Sequence, residues 1–249
     1  MKLDVVFSPQ GLCPADVAGR TVFVIDALRA TTTICAALTN GARAVVPAAT
    51  SEDAVRMAQS VGIQDAVLAG ERNCVRIPGF ALGNSPLEMT AEAIGGKLIV
   101  QTTTNGTRAL LATQGARGVF AAAAVNLGVA GERARQSLEQ DKDLLIICAG
   151  REGAFGLDDA YVAGRLALAA LGGRRVRRGL NDAALAALDL VRRYGDTFLR
   201  PFSYSEAGRH LARLGMADDV RDAARLDAYP VLPVFKERRL TIAPVAVPA

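Results

Sequence analysis

The sequence predicts an α/β protein with a mostly parallel sheet that is covered on both faces. Short aliphatic runs alternate with longer amphipathic ones along the 249 residues. Several of the short runs are apolar at every position, which is typical of strands buried on both sides. No Gly/Ser-rich linker or change of composition divides the chain, so we expect a single domain over residues 1–243 and a tail over 244–249.

Seven aliphatic runs are predicted strands. They cover residues 3–7, 21–25, 44–46, 66–69, 98–101, 118–121 and 144–148. A later apolar segment, 231–235, contains Pro233 and follows Pro230. Because proline cannot donate to a strand ladder, this segment is predicted to be an edge strand or an extended tail.

Helices are predicted between the strands from their capping residues and apolar periodicity. Thr50 can cap a helix over 52–61, and Ser85-Pro86 is a start signal in which Glu88 is placed to close a capping box. A periodic region over 157–171 stops at Gly172-Gly173. Further helices are predicted over 181–194 and 205–214.

Composition and charge exclude several classes of protein. The chain carries a net charge of +4, no tryptophan and 5% aromatic residues, so a nucleic-acid partner is not expected. The tightest basic run, Arg174, Arg175, Arg177 and Arg178, follows a helix and is interpreted as a solvated surface turn. No apolar run approaches the roughly 20 residues that span a bilayer. The first residues do not resemble a signal peptide and the four cysteines form no CxxC pair, so a cytoplasmic location without a membrane partner is expected.

The sequence lacks the residues that several common catalytic chemistries require. The single histidine, His210, lies inside a predicted helix and cannot build a multi-histidine metal site. Neither GxxxxGK[ST] nor GxGxxG occurs. Asp26 follows a strand as in aspartyl-phosphate phosphatases, but their second aspartate would fall at Leu28. The carboxylates, guanidinium groups and hydroxyls that remain suit a magnesium-assisted reaction on a phosphorylated or sulfonated small molecule.

Four polar loops follow predicted strands, where ligands bind in a parallel sheet. They are Asp26 to Thr33, Gly70 to Asn73 with its continuation to Pro86, Thr102 to Arg108, and Cys148 to Gly153 with its continuation to Asp159. Each has a plainer interpretation. Asp26 could simply cap a helix, with Arg29 as a surface residue. Asp158 or Asp159 could be no more than an N-cap. Glu71 and Arg72 could form a salt bridge, and Asn105-Gly106 could be a simple turn. Their shared pattern of strand, glycine, acid and arginine favours a metal ion that neutralises a dianion.

Taken together, these segments resemble the motif set of the 2-phosphosulfolactate phosphatase family, in the family's order and over roughly residues 3 to 240. The resemblance implies a three-layer α/β/α fold with a largely parallel or mixed central sheet. It also implies a Mg²⁺-dependent phosphoric monoester hydrolase that converts 2-phosphosulfolactate to sulfolactate, a step toward coenzyme M, and a homodimer.

The resemblance also implies roles for individual residues. The residues with an implied catalytic role are Asp26, Arg29, Glu71 and Arg151. Metal ligation falls to Asp26, Glu71 and Asp159, with Asp158 as a further candidate. Substrate contacts fall to Arg72, Asn84, Ser85, Thr103, Thr104, Asn105 and Arg108.

The sequence leaves the mechanism open. An attacking water is activated by the metal or deprotonated by Asp26 or Glu71, or else Asp26 is a nucleophile that forms an aspartyl-phosphate. Two other classes of function also stay open. One is a non-catalytic binder of phosphate or sulfonate metabolites, and the other is a different metal-dependent enzyme acting on phospho-hydroxy acids.

Overall fold

A computed structural model describes residues 1–62, 64–140, 143–174 and 178–243. Within them lie ten strands: β1 (Lys2–Val6), β2 (Thr21–Ile25), β3 (Ala44–Pro47), β4 (Ala66–Arg72), β5 (Val75–Arg76), β6 (Leu98–Thr102), β7 (Gly118–Ala122), β8 (Asp143–Cys148), β9 (Pro233–Lys236) and β10 (Arg239–Ile242). The same residues contain eleven α-helices: α1 (Pro14–Val17), α2 (Ala30–Thr39), α3 (Ser51–Val61), α4 (Ala91–Ile94), α5 (Gly106–Leu111), α6 (Leu127–Gln140), α7 (Leu157–Leu171), α8 (Asp182–Tyr194), α9 (Leu199–Tyr204), α10 (Glu206–Arg213) and α11 (Ala217–Ala223).

The strands form one mixed sheet in the order β1-β8-β2-β7-β9-β10-β3-β6-β4-β5. Two parallel blocks, β1-β8-β2-β7 and β3-β6-β4, are joined by the antiparallel hairpin β9–β10. Helices cover both faces, so the predicted three-layer α/β/α architecture with a mixed sheet is confirmed. All seven predicted strands are present.

The proline-containing segment after residue 230 does not lie at a sheet edge. Strand β9 sits inside the sheet between β7 and β10, so the predicted edge position is wrong. Pro233 is tolerated because it is the first residue of the strand, where a missing donor costs little. The ladder pairing of β9 with β7 consists of Phe120 opposite Val234.

The core lies on both faces of the β2 block. Phe23 and Ile25 of β2 pack toward α6 and α7, while Val22 and Val24 pack on the opposite face with α2 and α5. Helix α2 contacts both β3 and β7, and α5 contacts both β2 and β3. These two helices, which follow the polar loops after β2 and β6, therefore hold the two blocks of the sheet together.

The predicted caps are largely confirmed. Thr50 accepts the Asp53 N–H at 3.0 Å, and α7 ends at Gly172 in a left-handed conformation. The signal at Ser85 differs, because it starts only a 3₁₀ turn over Pro86–Glu88. The Glu88 carboxylate accepts the Gly83 N–H at 2.6 Å and so does not close the predicted capping box.

Two further predictions fall partly outside the described residues. Of the basic run after α7, Arg174 and Arg178 are exposed, whereas Arg175 and Arg177 lie outside the described residues, as does the predicted tail 244–249.

Among the helices of the described ranges, none combines the length and apolar character needed to cross a membrane.

Candidate active site

The loops that follow β2, β4, β6 and β8 line a common cleft of about 710 Å³, open mouth included. Nine residues that the sequence predicts as functional line this cleft: Asp26, Arg29, Glu71, Asn84, Thr104, Asn105, Arg151, Asp158 and Asp159.

Asp26 ends the buried strand β2 and is 7% exposed. Its Oδ1 accepts the Ala30 N–H at 3.1 Å, at the start of α2. Thr31 braces the same loop, since its hydroxyl donates to the Asp26 carbonyl at 2.8 Å. From the described part of the chain, Asp26 Oδ2 receives no hydrogen bond. One carboxylate oxygen is thus fixed to the backbone and the other is free for a ligand.

Glu71 lies at the end of β4 and is bound on both oxygens. Oε1 accepts the Thr104 N–H at 2.7 Å, and Oε2 accepts the Cys74 N–H at 2.7 Å. The Thr104 hydroxyl adds a third bond at 3.2 Å. Glu71 therefore joins the loops after β4 and β6.

Two adjacent aspartates start helix α7, where the helix dipole favours negative charge. Asp159 accepts the Ala27 N–H at 2.8 Å and the Gly150 N–H at 2.9 Å, so it links the loops after β2 and β8. Asp158 lines the same cleft and is 4% exposed. Of this pair, Asp159 is the residue that organises the loops.

The crowding of buried carboxylates perturbs their ionisation. Burial, together with the charges of Asp158 and Glu71, raises the pKa of Asp26 from 3.8 to about 7. Burial also raises the pKa of Asp158 to about 6, and it raises that of Asp159 well above its usual range, with Asp158 contributing. The ionised forms of these carboxyl groups are therefore disfavoured in the cleft, and a bound cation would favour them.

Two arginines line the cleft at different depths. Arg29 is 3% exposed, donates to Asp219 at 2.6 Å, and donates from Nη2 to the Cys74 carbonyl at 2.9 Å. Arg151 is half-buried, with its Nε 3.4 Å from the exposed Glu206 carboxylate. An exposed pair of this kind is weak, so Arg151 can exchange Glu206 for an anionic ligand.

Four predicted substrate contacts do not line the cleft. Arg72 donates to the Glu71 carbonyl and to the Thr102 hydroxyl, and Thr103 exchanges hydrogen bonds with Thr107. Ser85 donates to Asp219 at 2.6 Å, and Arg108 is exposed on α5. Their side chains support the neighbouring loops or face away from the cleft.

Three further residues contribute to the site although the sequence did not indicate them. Asp219 of α11 binds both Arg29 and Ser85, Glu206 of α10 faces Arg151, and Cys74 donates its N–H to Glu71. Asp219 is 190 positions from Arg29, and no local pattern marks it. The hydroxyls of Thr31 and Thr32 donate to backbone carbonyls of their own loop.

The carboxylate oxygens of the cleft are of the kind that Mg²⁺ prefers as ligands. Over residues 1–62, 64–140, 143–174 and 178–243, no three His, Cys, Asp or Glu side chains are arranged as a metal cluster. Mg²⁺ is commonly held by only one or two carboxylates, with waters and substrate phosphate completing its shell. Asp26, with its free oxygen, fits such a site, and Asp158, whose charge acts on Asp26, lies in the same cleft. Glu71 and Asp159 line the cleft too, and both oxygens of each accept backbone hydrogen bonds.

Comparison with known proteins shows the family of the chain. A family model described as 2-phosphosulpholactate phosphatase matches residues 6–238. The chain is 41% identical over 227 residues to a probable 2-phosphosulfolactate phosphatase of Symbiobacterium thermophilum, covering 91% of this chain and 96% of that protein. A protein of the same description from Deinococcus radiodurans is 43% identical over 239 residues, covering 94% and 93% of the two chains. With the family match spanning nearly all of its length, the chain belongs to the 2-phosphosulfolactate phosphatase family.

Proposed function

We propose that the chain is a Mg²⁺-dependent phosphatase that hydrolyses 2-phosphosulfolactate to sulfolactate and phosphate. The observation that carries this proposal is the convergence of four buried carboxylates and two arginines in one cleft of a protein of this family. The relatives are themselves described as probable 2-phosphosulfolactate phosphatases. A role on the route to coenzyme M would follow from that substrate.

The cation would be held by Asp26 and Asp158. Both are buried, both line the cleft, and the charge of Asp158 disfavours ionisation of Asp26. A cation between them relieves that repulsion. Bound there, Mg²⁺ would supply positive charge against the phosphate oxygens.

The arginines would bind and orient the anionic substrate. Arg29 is fixed deep in the cleft and suits the phosphate, since its planar guanidinium matches the spacing of two phosphate oxygens. Arg151, paired with the exposed Glu206, suits the carboxylate or sulfonate of the substrate. Fixed donors of this kind stabilise charge that develops during phosphoryl transfer.

Asp26 is the group proposed to act on the attacking water. Its Oδ1 is fixed by the Ala30 N–H, and its Oδ2 is free to accept a proton. The competing mechanism has the same oxygen attack phosphorus and form an aspartyl-phosphate. Rapid-quench trapping with labelled substrate distinguishes the two mechanisms. A phosphorylated Asp26 that forms and decays at the turnover rate would replace water activation with the covalent mechanism.

A phosphate-release screen tests the proposed function. Small phosphorylated acids, among them 2-phosphosulfolactate and phospholactate, are incubated with the protein in Mg²⁺ and in chelator. We expect Mg²⁺-dependent release that is fastest with 2-phosphosulfolactate and is lost in Asp26→Asn. Tight binding without release would indicate a metabolite-binding protein, and an organic product other than sulfolactate would indicate another metal-dependent enzyme.

We further propose a cytoplasmic homodimer. All four cysteines are free, which is typical of proteins in a reducing compartment. The homodimer is implied by the family resemblance. Light scattering of the purified protein tests it, and a monomer at micromolar concentration would contradict it.

A further inference from the structure

Asp219, on the short helix α11, forms a buried ion pair at the edge of the cleft. Asp219 is 4% exposed and Arg29 is 3% exposed. Asp219 Oδ2 accepts from Arg29 Nη1 at 2.6 Å, and Oδ1 accepts from the Ser85 hydroxyl at 2.6 Å. One carboxylate therefore ties two cleft loops to a helix near the end of the chain.

The surroundings of Arg29 explain why such an anchor is needed. Arg29 shares the cleft with Asp26 and Glu71, which attract a guanidinium strongly at short range. Across the described residues, its only ion pair is nevertheless with Asp219, outside this carboxylate group. The Cys74 carbonyl holds the other terminal nitrogen of the guanidinium at 2.9 Å. Without Asp219, Arg29 would be free to fold onto the cleft carboxylates and neutralise them.

We propose that Asp219 is a positioning residue, which holds the Arg29 guanidinium apart from the cleft carboxylates so that it can receive the phosphate of the substrate. This inference rests on the proposed function. It predicts that Asp219 affects anion binding only through Arg29, since Asp219 itself does not line the cleft.

Helix α11 supplies a matched control in Asp222. This carboxylate is 5% exposed, close to the value for Asp219, and it also pairs with an arginine, because Oδ1 accepts from Arg225 at 2.8 Å. Its Oδ2 accepts from the Tyr229 hydroxyl at 2.9 Å. Asp222 thus shares the helix, burial and pairing of Asp219 but has no contact with Arg29 or Ser85.

The test is calorimetric titration with inorganic phosphate in Mg²⁺ buffer, applied to the full chain and to Asp219→Asn, Asp222→Asn, Arg29→Ala and the Arg29→Ala/Asp219→Asn double variant. We expect Asp219→Asn to weaken phosphate binding about tenfold or more, the usual range for a charge-assisted hydrogen bond. We expect Asp222→Asn to stay within about twofold of wild type. In the Arg29→Ala background, Asp219→Asn should have no further effect.

Several outcomes would overturn the inference. These are equal loss of phosphate binding in the two aspartate variants, additive losses in the double variant, or no phosphate binding by wild type. If Asp219→Asn does not fold, Asp219→Glu replaces it, since the longer side chain keeps the ion pair but displaces Arg29. A different result would contradict the proposed function: the wild-type protein binds phosphate but releases none from any phosphorylated acid.

Discussion

Replacing Asp26 by asparagine is expected to stabilise the metal-free protein while abolishing its activity. The ionised Asp26 carboxylate is disfavoured in the native state, because burial and the charges of Asp158 and Glu71 raise its pKa from 3.8 to about 7. That rise corresponds to a cost of about 4 kcal/mol for the charged form. Asparagine keeps an oxygen for the Ala30 N–H but carries no charge.

The sign of the pH dependence follows from proton binding. Between pH 3.8 and about 7, the native state holds a proton on Asp26 that the unfolded chain has lost. The free energy of unfolding therefore falls as pH rises through this window. We expect Asp26→Asn to be more stable than wild type by up to about 4 kcal/mol at pH 8, and equally stable near pH 4.

Thermal unfolding in chelator, at pH 4 and pH 8, measures this effect. A gain of this size corresponds to a Tm increase of up to roughly 15 °C for a chain of this length. The exposed Glu92 provides a control, since Glu92→Gln should change the unfolding free energy by no more than about 0.5 kcal/mol at either pH. Destabilisation of Asp26→Asn at pH 8, or an equal gain at both pH values, would refute the electrostatic reasoning.

Three further predictions follow from the cleft. Arg151→Ala should raise the KM for a phosphorylated acid about tenfold, because a cation at the cleft mouth is lost. Arg108→Ala is its control and should leave KM within about twofold, since Arg108 is exposed outside the cleft. Gly106→Ala should lower the free energy of unfolding by about 1–3 kcal/mol and reduce activity, because its Cβ would lie 2.5 Å from Ala30 Cβ and 2.6 Å from Asp26 Oδ2. Denaturant unfolding and phosphate release check this last prediction, and a fully stable, fully active variant would contradict it.

The locally encoded parts of the fold were predictable from the sequence. Each of the seven aliphatic runs is a strand, and Thr50 caps its helix as the sequence indicates. Helices also form within the predicted ranges 181–194 and 205–214. Strands, caps and helix ends depend on residues within a few positions of one another. Strand β9 was misplaced because its position in the sheet depends on β7 and β10, whereas the rule for proline considers one strand alone.

The candidate site, too, was predictable from the sequence only in part. Asp26, Glu71, Arg151 and Asp159 were placed in one cleft from the sequence, because each follows a strand whose carboxyl end contributes to it. The same reasoning included Arg72 in the cleft, although it turns toward the Glu71 carbonyl and the Thr102 hydroxyl. Position in a loop does not specify the direction of a side chain.

By itself, the sequence determined the α/β alternation, the family and the loops that form the cleft. Only the tertiary structure decided which carboxylate oxygens stay free, that Arg29 is held by Asp219, and that the β9–β10 hairpin joins the two parallel blocks. The physical reason is the range of the interactions. Hydrophobic period and capping act over a few residues, whereas the direction and ionisation of a buried polar group depend on partners that packing brings from distant parts of the chain.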